Sequence, residues 1–259
     1  MELSILGKKL STHFSACLHL IKPLENTYQS LLLAMSSCDL CGSSCQHYRQ
    51  LCDHCYHDLP LFNQDIIQGD LLNWPSINKD LPKVVFDQLI CLAPHCAPFD
   101  GWLHQFKYLS RFELAQLFAH LLADKLNELL MAGYMEKPQL MIAVPLHISR
   151  LQHRGYNQAH LIATKLAQRL ATKYALKYEP QLVTRSKATV TQVGKTGRQR
   201  RKNLQAAFTV NNTKSLPDHV MLIDDVVTTG ATASEISTLL KRHGVKHVTL
   251  VTLTLAMRR

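Results

Sequence analysis

Short, mostly apolar runs alternate with longer amphipathic segments along the last two thirds of the chain. Residues 220–223 are four consecutive apolar residues, which is typical of a buried strand in a parallel sheet. Residues 101–130 instead repeat leucine and phenylalanine at helical spacing. Because strands alternate with helices, we expect an α/β fold in which helices flank a parallel sheet. The runs that predict strands are 84–93, 140–145, 182–185, 206–210 (a return strand), 220–223 and 245–255.

Two aspartates directly follow the apolar run 220–223, in the sequence LIDDVVTTGATASE. Thr232 and Glu235 have the spacing of a capping box, which predicts that a helix begins there, and Gly244 is a suitable end for that helix. Residues 224–231 are therefore expected to form the loop between a strand and a helix. In open α/β sheets, ligands bind at this carboxyl end of the strands.

This loop combines an anion-binding pattern with two acids. Backbone N–H groups at the start of a helix bind anions, and Gly230 permits the positive φ that allows a close approach to phosphate. Asp224 and Asp225 cannot bind that phosphate themselves, but they suit hydroxyl groups, a magnesium ion, or both. The expected ligand therefore has a phosphate at one end and a diol nearby, and ribose 5-phosphate has both groups. The alternative interpretation is an ordinary strand, loop and capped helix.

The same stretch resembles the phosphoribosyl pyrophosphate (PRPP) signature of type I phosphoribosyltransferases. The resemblance implies that Asp224 and Asp225 hold the ribose hydroxyls and that Mg²⁺ binds together with PRPP. Neither the P-loop motif nor the dinucleotide-binding fingerprint occurs in the chain. The residues that the resemblance assigns to the 5′-phosphate are Thr228, Thr229, Gly230, Ala231 and Thr232.

A second candidate anion site follows the apolar run 140–145. Arg150, Arg154 and Gly155 lie in a basic, glycine-containing turn, and a helix is expected to begin near residue 156 or 157. We assign these three residues to the pyrophosphate side of the ligand. A solvated basic turn is the alternative interpretation.

Positive charge is unevenly distributed along the chain. The formal net charge is +10, and residues 185–202 contain seven Lys or Arg residues and no acid. A basic excess favours either nucleic acid or an anionic small ligand, and both remain open. We predict a mobile basic loop that binds pyrophosphate or DNA. Its candidate residues are Arg185, Arg198, Arg200 and Arg201.

Four of the eight cysteines form two C-x-x-C pairs, Cys38 with Cys41 and Cys52 with Cys55. Each pair can present two thiolates to one ion, and four thiolates complete a tetrahedral structural zinc site. A closed four-cysteine set leaves no coordination position for water, so we expect a structural Zn²⁺ and no metal catalysis. A redox dithiol or a chance spacing is the alternative.

The segments around these motifs define four candidate regions. Residues 1–37 repeat apolar side chains at helical spacing, which predicts an amphipathic packing helix or, alternatively, a helix on a membrane surface. Residues 38–60 are the zinc module, 61–83 a polar connector, and 84–259 the α/β domain. No apolar run approaches the roughly 18 residues of a membrane span, and the N-terminus lacks the apolar block of a signal peptide. We therefore expect a cytoplasmic protein.

From about residue 31 to the C-terminus, the order of these parts resembles the ComF family (ComFC/GntX type) of competence proteins. The resemblance implies a type I phosphoribosyltransferase-like sheet preceded by the zinc module. It also places Lys107 on the pyrophosphate side and adds Gln192 and Asn203 to the basic loop. The motifs that carry it are HQFKYLSRFELA, VPLHISRLQHRGYNQA, TQ at 191–192, RQRRKNLQAAF and LIDDVVTTGATASE.

The ComF resemblance implies a PRPP-binding competence protein that handles internalised single-stranded DNA during natural transformation, with a ComFA-type helicase as a family-level partner. It identifies no acceptor, so transferase turnover does not follow from it. The alternative is a phosphoribosyltransferase of nucleobase salvage that uses PRPP and Mg²⁺. A salvage enzyme should enclose its acceptor under a hood, whereas a zinc module occupies that place in this chain, which favours the competence role.

Overall fold

The computed structural model describes residues 36–256, except residues 49, 82, 147, 186–206 and 212–214. The chain divides into two compact units between Leu59 and Pro60. In the described part of the first unit lies helix α1 (Asp53–His57). The helix predicted within residues 1–37 falls almost entirely outside the described residues, as does the basic loop beyond Arg185.

Five parallel strands form the main sheet of the second unit. They are β1 (Gln88–Pro94), β2 (Leu140–Ala143), β3 (Lys177–Tyr178), β6 (His219–Val227) and β7 (His247–Leu255). Their order across the sheet is β1–β7–β6–β2–β3. An antiparallel pair outside this sheet joins β4 (Val183–Arg185) to β5 (Phe208–Val210). The predicted parallel sheet and the predicted return strand are both confirmed.

Helices precede β1 and connect the strands that follow it. The helices are α2 (Gln64–Ile67), α3 (Pro75–Asp80), α4 (Phe99–Tyr108), α5 (Leu114–Met131), α6 (Ile148–Arg154), α7 (Gln158–Tyr174) and α8 (Ala231–Arg242), with a 3₁₀ turn at Leu71–Asn73. Helices α5 and α7 pack against each other. Among the helices of the described segments, none has the length and apolar character needed to cross a bilayer.

The core surrounds the first half of β6, whose initial five residues are all buried. This uninterrupted burial explains the apolar run in the sequence, because a central parallel strand is covered on both faces. The segment 61–83, which we expected to be a connector, carries short helices that contribute Ile67, Leu71 and Ile77 to the same hydrophobic cluster as β6. Asp70 accepts hydrogen bonds from the backbone N–H groups of Leu72 and Leu89, so the segment is also tied to β1.

The segment 101–130 is helical as predicted, but it is divided into two separate helices, α4 and α5. Helix α4 ends at Tyr108, and Ser110 then adopts a left-handed backbone with φ of +55°. Arg111 donates from Nη1 to Gln105 Oε1 at 2.8 Å, so the chain folds back onto α4 before α5 begins. Because of this break, the last turn of α4 is a helix terminus that can carry ligand-facing residues.

His219 gives the second unit a pH-dependent contribution to stability. His219 is only 4% exposed, and its Nε2 lies 2.8 Å from the Thr249 hydroxyl. That hydroxyl in turn donates to Gln88 Oε1. Burial, and secondarily the charge of His247, lower the pKa of His219 to about 4. The unfolded chain therefore binds this proton at a higher pH than the folded chain does. The contribution is complete above the ordinary histidine pKa of about 6.5 and is lost as the pH falls towards about 4.

We expect His219→Gln to remove this part of the pH dependence. Relative to the variant, the wild-type protein should lose about 2 kcal/mol of unfolding free energy between pH 7 and pH 4.5. Urea denaturation of both proteins at the two pH values measures the difference, and carboxylates that titrate in both proteins cancel. A difference between the proteins that does not change with pH would contradict the assignment.

Candidate functional site

The two acids of the predicted site lie on β6 itself. The strand continues to Val227, so the expectation that residues 224–231 form one loop is wrong, and the turn comprises only residues 228–230. The backbone N–H of Asp225 donates to Asp224 Oδ1 at 2.8 Å. This bond fixes the first carboxylate against the backbone of the second at the carboxyl end of the sheet.

Lys107 contacts the acidic pair directly. Its Nζ lies 2.7 Å from Asp225 Oδ2, and the two side chains are only 17% and 15% exposed. Lys107 lies in the last turn of α4, the helix that follows β1. Although the sequence resemblance assigned Lys107 to the pyrophosphate side, in the structure its ammonium group neutralises Asp225.

The two carboxylates have different electrostatic environments. Burial and, secondly, the charge of Asp225 raise the pKa of Asp224 well above its usual range. The positive charge of Lys107 opposes this rise only in part. Asp224 therefore ionises less readily than an ordinary aspartate, whereas the carboxylate of Asp225 is paired with the Lys107 ammonium group.

The turn after β6 leads into α8 through Gly230. This glycine has φ of +65°, and a Cβ at its position would lie 3.0 Å from Val84 and 3.2 Å from Phe86, so both backbone and packing require glycine. Gly230 is the N-cap of α8, and the predicted capping box is wrong because Thr232 lies inside the helix. A glycine cap has no side chain with which to bond the first N–H groups, and such groups can bind an anion.

Helix α6 carries two of the arginines predicted on the pyrophosphate side. Arg150 and Arg154 lie on this seven-residue helix rather than in a turn, and Gly155, with φ of +78°, follows it. The prediction of a basic turn is thus wrong, because a short helix already begins at Ile148, whereas the helix expected to begin near residue 156 or 157 is confirmed as α7. The true start of the next helix, α7, is capped by Asn157.

Arg154 connects α6 to the end of α4. Its Nη1 donates to Gln158 Oε1 at 3.1 Å and its Nη2 to the Tyr108 hydroxyl at 3.4 Å. Tyr108 follows Lys107 in the sequence, so Arg154 and the acidic pair contact neighbouring residues of α4. The structure therefore brings together Asp225, Lys107 and Arg154, which are far apart in the chain.

Arg185 is the described residue of the predicted basic loop. Its guanidinium lies 5.3 Å from the centre of the Phe208 ring. Burial and, secondly, the positive charge of Arg150 lower the pKa of Arg185. The remaining candidates lie outside the described residues: Gln192, Arg198, Arg200, Arg201 and Asn203.

Two positioning residues were not assigned from the sequence. Asn157 donates from its side-chain amide to the carbonyl of Val144, just after β2, and so fixes the α6–α7 connection to the sheet edge. Ser234 accepts from the backbone N–H of Val85, which links α8 to the segment before β1. An asparagine directly before an apolar helical segment is an N-cap signal, so Asn157 could have been recognised. The Ser234 contact has no comparable sequence signal.

Four cysteines of the first unit form a cluster that fits a tetrahedral metal. Sulfur atoms of Cys38, Cys41, Cys52 and Cys55 all lie within 4.8 Å of one another, and the Cys41 and Cys52 sulfurs are 3.6 Å apart. Tetrahedral zinc with bonds of about 2.3 Å separates its sulfurs by about 3.8 Å. The cluster therefore has the donor set and the dimensions of a structural zinc site.

Local backbone bonds shape both halves of this cluster. The N–H of Gly42 donates to the Cys38 carbonyl, and the N–H of Cys55 lies 3.5 Å from the Cys52 sulfur. Hydrogen bonds from Ser43 lower the pKa of the Cys41 thiol to about 6, whereas the hydrogen bond with Cys41 raises the pKa of Cys55, so Cys41 is the more readily ionised of these two thiols. The sequence prediction of one four-cysteine module is confirmed at the level of this cluster.

Solved structures of phosphoribosyltransferases show a distant similarity to the chain. A hypoxanthine phosphoribosyltransferase from Staphylococcus aureus is 15% identical, with a TM-score of 0.32 and coverage of 69% of this chain and 70% of that chain. A hypoxanthine phosphoribosyl transferase from Trypanosoma cruzi is 13% identical, with a TM-score of 0.34 and coverage of 57% of this chain and 67% of that chain. No protein-family model matches the chain.

Curated relatives cover most of the chain. Competence protein F of Haemophilus influenzae is 30% identical over 239 residues, which is 91% of this chain and 92% of the relative. The DNA utilization protein YhgH of Salmonella typhimurium is 32% identical over 82% of this chain and 86% of the relative. Competence protein ComFC of Streptococcus pneumoniae is 26% identical over 56% and 57%. The resemblance inferred from the motifs is thus confirmed, and the chain belongs to the family of competence protein F and the DNA utilization protein YhgH.

Proposed function

We propose that this protein binds PRPP together with Mg²⁺ at the carboxyl end of β6 and uses that site in handling internalised single-stranded DNA. The observation that carries the proposal is the acidic pair Asp224–Asp225, which lies immediately before a glycine turn and the uncapped start of α8. A diol and a phosphate are the two groups that this arrangement suits.

The ligand would contact three elements of the second unit. Its ribose hydroxyls would bond to Asp224 and Asp225, and its 5′-phosphate would accept hydrogen bonds from residues 228–232. Its pyrophosphate would face α6, where Arg150 and Arg154 supply positive charge. The acids of β6 suit hydroxyls, and the pyrophosphate suits Mg²⁺, which would supply charge neutralisation there.

The role in DNA handling is supported by the relatives and by charge. The relatives are named for competence and for DNA utilization. A formal net charge of +10 suits a polyanionic partner because Lys and Arg neutralise phosphates. We place this activity in the cytoplasm, with a ComFA-type helicase as a partner, and we include no transfer reaction in the proposal.

Two titrations of the purified, zinc-containing protein test both halves of the proposal. Calorimetry with PRPP and Mg²⁺ should show saturable binding to one site, and ribose 5-phosphate should compete with it, because it carries the same diol and phosphate. Fluorescence anisotropy with a labelled oligo(dT) strand should show binding that weakens as salt rises. Absence of PRPP binding would contradict the ligand assignment, and absence of oligo(dT) binding at low salt would contradict the DNA role.

A further inference from the structure

Two exposed aromatic side chains lie at the end of α4 and just after it. Tyr108 and Phe112 are 56% and 50% exposed, although aromatic side chains of this size are usually more completely covered. Tyr108 directly follows Lys107, whose ammonium contacts Asp225, so the same last turn of α4 carries a residue of the proposed ligand site and one of the exposed rings. These two rings leave apolar surface in contact with water, and we expect a binding partner to cover it.

Fixed positive charge accompanies these rings. The Arg154 guanidinium lies 5.4 Å from the centre of the Tyr108 ring and also donates to the Tyr108 hydroxyl. Phe112 packs edge-to-face on Tyr156 at 4.7 Å, which holds its ring in one orientation. Helix α6 (ISRLQHR) contains Arg150, His153 and Arg154 but no acid. Both rings are therefore held by neighbouring side chains, and one cation of α6, Arg154, lies beside Tyr108.

We propose that Tyr108 and Phe112 stack on the bases of single-stranded DNA while Arg150 and Arg154 contact its phosphates; we call these four residues the stacking surface. The inference rests on the proposed DNA-handling function and assigns it to a surface. Aromatic faces combined with a basic groove are the features by which proteins bind single strands irrespective of sequence. A duplex does not fit because its bases are stacked on one another.

The charge of α6 distinguishes this partner from an apolar one. A protein partner would have to cover Arg150 and Arg154 with acids, whereas a nucleic acid strand presents a phosphate beside every base. Arg154 already lies 5.4 Å from the centre of one ring, so a strand that stacks there meets a positive charge nearby. Charge complementarity thus favours a single strand over a second copy of this chain.

The stacking part of the proposal is tested with the double variant Tyr108→Leu, Phe112→Leu. Leucine keeps apolar bulk but removes the rings, so the affinity for labelled oligo(dT) should fall about tenfold or more. The slope of log affinity against log salt should stay unchanged, because no phosphate contact is lost. Tyr108→Phe keeps the ring and should bind as the wild type does, apart from the loss of one hydroxyl contact.

Two further double variants test the phosphate contacts and provide a control for the loss of exposed apolar side chains elsewhere. Arg150→Gln with Arg154→Gln should lower the salt slope by about one for each lost contact. Ile66→Ala with Met131→Ala is the control, because these side chains are 72% and 80% exposed but lie outside the stacking surface. The control should bind oligo(dT) with wild-type affinity.

Each outcome of these titrations decides the inference. If wild-type protein binds oligo(dT) and the leucine variant binds equally tightly while still binding PRPP, the stacking surface is wrong and the proposed function stands. If the leucine variant instead loses concentration-dependent self-association without losing DNA affinity, the surface is an interface between copies of the chain and the inference is again wrong. If wild-type protein binds no oligo(dT) at low salt, the DNA role and this inference fail together.

Discussion

Wild-type protein is expected to carry one zinc ion per chain, and Cys52→Ser is expected to abolish that binding. The Cys52 sulfur belongs to the cluster of four that lie within 4.8 Å of one another, and a serine hydroxyl does not replace a zinc-bound thiolate. Structural zinc contributes about 10–16 kcal/mol of apparent binding free energy in zinc-finger peptides. Within the described residues 36–59, the buried apolar side chains other than cysteine are Leu51 and Leu59. We therefore expect the fold of residues 38–59 to depend on the metal.

Elemental analysis gives the zinc content, and limited proteolysis reports whether residues 38–59 stay folded. Cys45→Ser is the matched control, because Cys45 is also buried in this unit but lies outside the four-sulfur cluster. The control should keep its zinc, whereas the Cys52 variant should be cleaved rapidly within the module. Purified wild-type protein with well under one zinc per chain, or a Cys52 variant that resists protease as well as the control, would contradict the prediction.

The zinc cluster and the sheet could be predicted because their signals are local. The two C-x-x-C pairs identify the four candidate metal ligands, and no information from the rest of the chain is needed. The strand at 220–223 is likewise recognisable from its continuous apolar residues, which are required because both faces of the strand are covered. Even the hairpin strand at Phe208–Val210 was found from its own short β-prone run.

Predictions of the boundaries between helices, strands and turns were less accurate. Residues 101–130 keep an apolar spacing that suits one helix, yet Ser110 adopts a left-handed backbone and ends α4. Thr232 and Glu235 match a capping box, yet the helix begins one residue earlier because Gly230 already turns the chain. Both errors arise because a short motif fits several registers and tertiary packing selects among them.

The central contact of the candidate site could not be predicted from local pattern at all. Lys107 and Asp225 lie on different elements, and only the order of the sheet brings the helix after β1 to the end of β6. The same holds for Asn157, whose amide reaches the carbonyl of Val144 after β2. The resemblance identified Lys107 as a site residue, but its pairing with Asp225 could be seen only in the folded structure.

Asp225→Asn is expected to weaken PRPP binding by roughly 10- to 100-fold. A hydrogen bond to a charged group contributes about 1.5–3 kcal/mol, and the amide of asparagine cannot replace the carboxylate that accepts from a ribose hydroxyl and from Lys107 at the same time. Asp218→Asn is the matched control: Asp218 is also paired with a lysine, Lys246, at 2.8 Å, but both side chains are largely exposed and away from β6's carboxyl end. Calorimetry should show wild-type PRPP affinity for this control.

Asp224→Asn is expected to weaken PRPP binding less than Asp225→Asn does. Burial and the neighbouring Asp225 charge raise the pKa of Asp224, so its charged form is less favourable than that of an ordinary aspartate, and a neutral amide of nearly the same shape should cost less here than at Asp225. An asparagine at this position can also still accept the N–H of residue 225 through its amide oxygen. Lys107, by contrast, pairs with Asp225 and would keep an uncompensated charge in the other variant. Equal losses in the two variants would show that both carboxylates bind the diol as anions, whereas a larger loss for Asp224→Asn would reverse the roles assigned to the pair.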